Sequence, residues 1–378
     1  MRSNIHWFSL PNKCDVLIFN LAGYAKLKPY LDGYKCTVFS SEREEIYLLC
    51  LIRSLFLSIF WRGDFMGAYY SAFVKSSLPK IVITFIDNNP DYYRISALNK
   101  DIKTVFVQNG WRDKFLEIVP LPPSPFVDHM CVYNDLIGQY YTKHIGGQYH
   151  VIGSVPNNHV ITSKKLPDNS VLFISQYRDR PKTGSDYFYT DAFGRKVLYS
   201  IFYYPESVVL PLLSRWCQDN QRELVVAGSS ITSFDDEKAF FDRYIKGEWS
   251  FMKKENELSS YEIIDSAEII VTVDSNLGYE AFVRGKKTAF VTCRNNDLDV
   301  DDMGFCWHAG FSDSGLFWTN SCEENKILMI LNYLAMVKDE EWNQLVRKYA
   351  DDVMIYDPGN TRFKLLLDQL LQKSDDLS

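Results

Sequence analysis

Residues 269–283, IIVTVDSNLGYEAFV, break an apolar run with three small polar residues and then resume in a helix-like segment. A strand running straight into a helix leaves backbone N–H groups unpaired at the helix start, where the dipole favours negative charge. Ser275 and Asn276 add side-chain donors, Gly278 lets a ligand approach the backbone, and Glu280 is placed to reach ribose hydroxyls. That is the chemistry of a phosphate cradle. The competing reading is local, with Ser275 or Asn276 simply capping the helix.

Other apolar runs also end in polar residues. FISQYRDR offers Ser175, Gln176, Arg178 and Asp179, and Arg178 suits a phosphate or carboxylate. VVAGSS offers Ser229, and Asp235 and Asp236 follow at the next helix start, as first-turn acids or as catalysts. In the first half, ITFIDNN ends at Asp87 and Asn88, while VFVQNGWRD supplies Asn109, Trp111 and Arg112. A carboxylate, amides and a cation beside an indole suit a polar sugar; two turn-forming tips are the alternative.

Several chemistries lack their residues. The six histidines show neither HxxxH nor HExxH, so no metal is expected. No GxSxG elbow, phosphate-binding GxxxxGK loop or GxGxxG fingerprint occurs, which argues against serine hydrolases, P-loop ATPases and dinucleotide-dependent enzymes. A formal charge of -7 argues against nucleic acid as a partner.

The elements that must position these residues are legible. The 378 residues, 46% hydrophobic and 24% charged, suit two globular domains. Short apolar runs alternate with amphipathic segments, the pattern of parallel sheets with helical crossovers. Strands are expected at CDVLIFN, YKCTVFS, KIVITFID, KTVFVQNG, HMCVYN and YHVIGSV, then at SVLFISQ, RELVVAG, WSFM, EIIVTVD and KTAFVTC. Helices are expected at 43–60, 66–77 and 135–144, then near 195–218, 235–246, 259–266 and 278–284, with a helical tail. The fold class is α/β, with two doubly wound Rossmann-like domains whose strand ends face a central cleft. The expected divisions are an N-terminal domain over 1–157, a linker over 158–169, a C-terminal domain over 170–350 and a tail over 351–378.

Eight scattered cysteines without a CxxC pair read as reduced thiols of a cytoplasmic protein. The N-terminal residues do not have the pattern of a signal peptide. IYLLCLIRSLFLSIFW, residues 46–61, is shorter than the span of about 20 residues a bilayer needs and contains Arg53. It reads as a buried helix, with a membrane-surface helix as the alternative.

Taken together, TFIDN, VFVQNGWR, LFISQYR and VDSNLGYEAFVRGKK resemble GT-B glycosyltransferases. More narrowly they resemble bacterial surface-carbohydrate proteins of O-antigen and capsule assembly, related to retaining β-Kdo transferases. The resemblance spans roughly residues 80–290. It implies a donor nucleotide in the C-terminal domain, an acceptor along the N-terminal one, and a tail helix crossing back. It implies transfer of Kdo or a related ulosonic acid from a CMP-sugar, with retention through a carboxylate adduct. No cofactor or metal is implied, because CMP-Kdo is a substrate whose single phosphate a helix N-terminus and a cation can stabilise.

Under that resemblance Ser275, Asn276, Gly278, Glu280, Arg178, Gln176 and Ser229 hold the donor. Asn88, Asn109, Trp111 and Arg112 meet the acceptor, and Asp87, ahead of Asp236 and Asp179, is the catalytic carboxylate. The implied partners are a nucleotide sugar and a glycan or lipid-linked glycan, with peripheral contact to the inner membrane or to other assembly proteins. Two alternatives stand beside this reading: a UDP-sugar epimerase or transferase of the same fold, and a non-catalytic member of an assembly complex.

Overall fold

The computed structural model describes residues 4–39, 45–60, 65–111, 114–118, 121–159, 169–178, 187–190, 196–229, 234–255, 259–294 and 304–372. The chain divides into two compact units, one of residues 1–111, 115–159 and 357–378, the other of residues 112–114 and 160–356.

The first unit contributes β1 (Asn4–His6), β2 (Val16–Phe19), β3 (Cys36–Phe39), β4 (Glu45–Tyr47), β5 (Ile81–Thr84), β6 (Lys103–Val107), β7 (Phe126–Val132) and β8 (Gly146–Val151). Six of these form one sheet in the order β3-β2-β5-β6-β7-β8, and every pairing is parallel. Parallel sheets are covered on both faces, which is why VLIF of β2 and IVIT of β5 are buried at every position. The tail helix Thr361–Leu371 belongs to this unit. Its Phe363, Leu366, Leu367 and Leu371 share a core with Val16, Ile18, Ile81, Val105 and Cys131. Asn360, in the left-handed region at φ 56°, fixes the helix start by donating to the Val155 carbonyl at 2.9 Å.

The helix Leu48–Phe60 packs against the helix Phe65–Ser77, and Arg53 donates to Ser76 Oγ at 2.8 Å. It is therefore only partly buried. Ile52, Leu55 and Phe56, the last 66% exposed, face away from the neighbouring helix. Among the described residues no helix is long and apolar enough to cross a membrane.

The second unit contributes β9 (Ser170–Ile174), β10 (Tyr187–Thr190), β11 (Lys196–Leu198), β12 (Glu223–Ala227), β13 (Ser250–Met252), β14 (Ile269–Thr272), β15 (Lys287–Val291) and β16 (Trp318–Thr319). Its parallel sheet runs β13-β12-β9-β14-β15-β16, so the order reverses between β9 and β14. All eleven strands expected from the apolar runs are present in the two large sheets. The edge strand β16 and the pairs β1–β4 and β10–β11 were not anticipated. Segments of two to four residues are too short to show a period.

The cysteines require a correction. Cys293 and Cys322 form a disulfide with Cα atoms 5.7 Å apart, where only reduced thiols were expected. They are 29 residues apart in sequence, but each follows one of the neighbouring strands β15 and β16. Strand pairing brings them together, and no local spacing could reveal that.

On β7 and β8 of the first unit, His129 Nδ1 lies 3.0 Å from His150 Nε2 and 2.8 Å from Gln148 Nε2. Burial lowers both imidazole pKa values, and for His129 the facing His150 and Lys103 act in the same direction while Asp128 opposes. The unfolded chain therefore binds more protons than the fold just below the ordinary imidazole pKa of about 6.5, so stability is lost as pH falls through that region. The melting temperature should drop between about pH 7.5 and about pH 5.5. His150→Gln should flatten that drop; circular-dichroism melts across the range check it.

Candidate functional site

Open parallel sheets bind ligands beyond the carboxyl ends of their strands, at the point where strand order reverses. In the second unit that point lies between β9 and β14. Gln176 after β9 and Asp274 after β14 meet there, the Asp274 N–H donating to Gln176 Oε1 at 3.3 Å. Ser275 follows as N-cap of the helix Asn276–Val283, yet its side chain makes no capping bond. The capping alternative thus fails for Ser275, whose N–H instead donates to Thr272 Oγ1 at 3.1 Å. Ser275 and Asn276 are half-buried at a helix start to which the Ser275 side chain gives no capping bond.

Gly278 and Glu280 each have a structural role the sequence did not suggest. Gly278 is buried against the sheet, and a Cβ there would lie 2.5 Å from Thr272 Cγ2. The glycine is needed for helix–strand packing. Glu280 is 6% exposed and accepts a hydrogen bond from the Tyr261 hydroxyl at 2.9 Å, which ties two helices together.

Behind Asp274 stands a residue the sequence reading passed over. Arg294, three positions beyond β15, is 2% exposed and engages both neighbouring strand ends. Its Nη1 donates to Asp274 Oδ1 and, at 3.2 Å, to Gln176 Oε1. Nη2 donates to Glu206 Oε1 at 2.9 Å and Nε to the Phe202 carbonyl at 3.0 Å. Burial pushes the Glu206 carboxyl up to about 7, Arg294 opposing and Asp274 assisting. Arg294 could have been found by the strand-end rule that selected the other residues. Glu206 could not, since one acid in a first helical turn carries no distinguishing signal.

A second polar cluster joins β9 to β12. Glu237, fully buried, accepts from Ser175 Oγ and from the Ser229 N–H, the latter at 2.8 Å. Ser229 Oγ donates to the Tyr177 carbonyl at 2.7 Å. Asp235 and Asp236 precede Glu237 in the same turn but are exposed. Helical rotation of about 100° per residue turns only the third acid inward. Arg178, exposed at the end of β9, has its N–H bonded to the Tyr203 hydroxyl. Asp179 and Arg112 lie outside the described residues.

In the first unit Asp87 and Asn109 do meet, at the tips of β5 and β6. Asp87 is fully buried; Oδ1 accepts from the Asn109 N–H at 3.0 Å and Oδ2 from the Tyr141 hydroxyl. A carboxylate so enclosed braces the strand tips and presents no solvent-facing oxygen, a structural role that stands beside the catalytic one expected from the sequence. Asn88 is exposed, and Trp111 stacks on Tyr133 with ring centroids 6.0 Å apart. Among the described residues no three His, Cys, Asp or Glu side chains group as a metal site requires.

Residues 105–371 match a family described as "putative O-antigen biosynthesis protein". The chain belongs to that family. No curated protein matches the sequence. Solved structures share its fold at low identity. A "putative UDP-N-acetylglucosamine 2-epimerase" from Listeria monocytogenes superposes with a TM-score of 0.56 at 11% identity, over 94% of this chain and 96% of that one. The UDP-GlcNAc 2-epimerase of Neisseria meningitidis, bound to UDP-GlcNAc, gives 0.51 at 10% identity, over 94% and 98%. S. aureus MnaA with UDP gives 0.51 at 10% identity over the full length of both chains. The O-antigen family member therefore has a GT-B-type fold with two Rossmann-like sheets and a helical tail.

Two substitutions test these assignments. Gly278→Ala should destabilise the protein by about 1–3 kcal/mol through overpacking against Thr272, read as a lower urea midpoint. Asp87→Ala should cost about 1–3 kcal/mol for each donor it strands, Tyr141 and Asn109. Unaltered stability on urea unfolding would remove the bracing role of Asp87.

Proposed function

We propose that this O-antigen family member is a glycosyltransferase of surface-polysaccharide assembly that takes sugar from a nucleotide donor bound in its second unit. The observation that carries the reading is the helix start at Ser275, whose side chain makes no capping bond and which is seated where the strand order reverses. Ser275 and Asn276 receive the donor phosphate there, and Arg178 at the end of β9 supplies a cation. The donor is a CMP-activated ulosonic acid such as Kdo. Its single phosphate suits one helix N-terminus and one guanidinium and needs no metal for charge neutralisation. The acceptor is a glycan or lipid-linked glycan met by the first unit, with Trp111 offering an apolar ring to a sugar.

Retention through a carboxylate adduct then calls on Asp236, exposed in the first turn after β12, or on Asp179. The exposed face of Ile52, Leu55 and Phe56 supports work in the cytoplasm beside the membrane that carries lipid-linked acceptors. A second reading, a UDP-sugar transferase or epimerase, draws support from the UDP and UDP-GlcNAc held by neighbours of the same fold.

A thermal-shift panel of CMP, CDP, UMP, UDP and GDP separates these readings. A ligand at about a hundred times its dissociation constant stabilises the native state by about 2.7 kcal/mol. Selective stabilisation by CMP is expected. A UDP response would replace the donor, and no response would favour a non-catalytic member of an assembly complex.

A further inference from the structure

The cluster behind the helix start contains one guanidinium and two carboxylates. Arg294 and Glu206 are almost fully buried, whereas the Asp274 side chain is 27% exposed and adjoins the N-cap Ser275. Glu206 Oε1 is satisfied by Arg294, but Oε2 is buried with no hydrogen-bond partner among the described residues. A carboxylate oxygen enclosed without a donor is destabilised when charged, and a proton relieves it. With both acids ionised the cluster carries a net charge of −1; with one proton on Glu206 it is neutral.

The groups facing Glu206 are few. Arg294 reaches it from beyond β15, the Glu206 backbone N–H favours the ionised form, Asp274 acts on it from beyond β14, and Tyr203 precedes its own helix. Burial holds the Tyr203 phenol well above its ordinary pKa, so it stays neutral. Asp274 is fixed by Arg294 and by its own N–H bond to Gln176. Among these groups Glu206 is the one whose charge changes near neutral pH.

We propose that Arg294 and Glu206 are positioning residues that couple donor binding to uptake of one proton. A donor phosphate arriving at Ser275 comes beside the Asp274 carboxylate, and like charges separated by one residue repel. Glu206 takes a proton from solvent, its carboxylate becoming a carboxylic acid. Arg294 then serves Asp274 alone, and the phosphate meets a cluster without net negative charge. Donor affinity is consequently highest at and below neutral pH and weakens as Glu206 ionises. This inference rests on the donor-site reading above.

The test is isothermal titration calorimetry with CMP-N-acetylneuraminate and UDP-N-acetylglucosamine. Their phosphodiester groups do not ionise near neutral pH, so the protons counted belong to the protein. Around pH 7.4 the binding enthalpy should differ between phosphate and Tris buffers in proportion to their ionisation enthalpies, giving an uptake of about half a proton or more. Above about pH 7 the association constant should fall toward about tenfold per pH unit. Glu206→Gln keeps a side-chain oxygen for Arg294 and should bind with buffer-independent enthalpy and a flat pH profile. Asp274→Asn, which removes the neighbouring charge, should also lose the uptake and serves if the first variant fails to fold. Wild-type binding with no buffer dependence and no pH dependence overturns the proton coupling and leaves the donor site standing. Absence of binding by both probes overturns the donor-site reading, and the coupling with it.

Discussion

A guanidinium removed from water must be met by carboxylates and carbonyls, or the fold cannot tolerate it. Arg294 imposes that constraint on the second unit. It requires Glu206 on one side, Asp274 and Gln176 on another, and the Phe202 carbonyl below, with the Phe202 ring 4.3 Å from the guanidinium carbon. The ends of β9, β14 and β15 and the start of the helix Tyr204–Asp219 are thereby held in one arrangement. Such a network is weak evidence for stability but strong evidence for geometry, because its donors and acceptors fit only one way.

That geometry bears on the site because the reversal of strand order opens a crevice between β9 and β14. Polar residues there are held from the side by the helix Tyr204–Asp219, whose Glu206 accepts from Arg294. Gln176, spanning from β9 to the Asp274 N–H, sets the separation of the two strand ends. Glu237 does the same between β9 and β12 through Ser175 and Ser229. The half-buried Ser275 and Asn276 and the exposed Arg178 thus adjoin buried acids and amides. A ligand met at such strand ends would find polar groups whose support is already ordered, which lowers the entropy cost of binding.

The first unit solves a related problem with a carboxylate used as a brace. Asp87 joins the tips of β5 and β6 and the helix Asp135–His144 through Asn109 and Tyr141. A strand-end aspartate looks the same in sequence whether it points outward to a substrate or inward to a tyrosine 54 residues away. The same ambiguity applies to Gly278, where a glycine needed by Thr272 is indistinguishable from one needed by a phosphate.

Sequence alone determined the strands of both large sheets, because fully buried parallel strands are continuous apolar runs whose polar ends mark their limits. It also located the helix starting beyond Ser275, since three small polar residues after such a run permit little else. Tertiary structure decided the rest. Which acid of Asp235, Asp236 and Glu237 turns inward, which cysteine pairs with Cys293, and what Arg294 holds are questions about residues far apart in the chain. Apolar patterning specifies elements one at a time; the partner of a buried charge is fixed only when the elements meet.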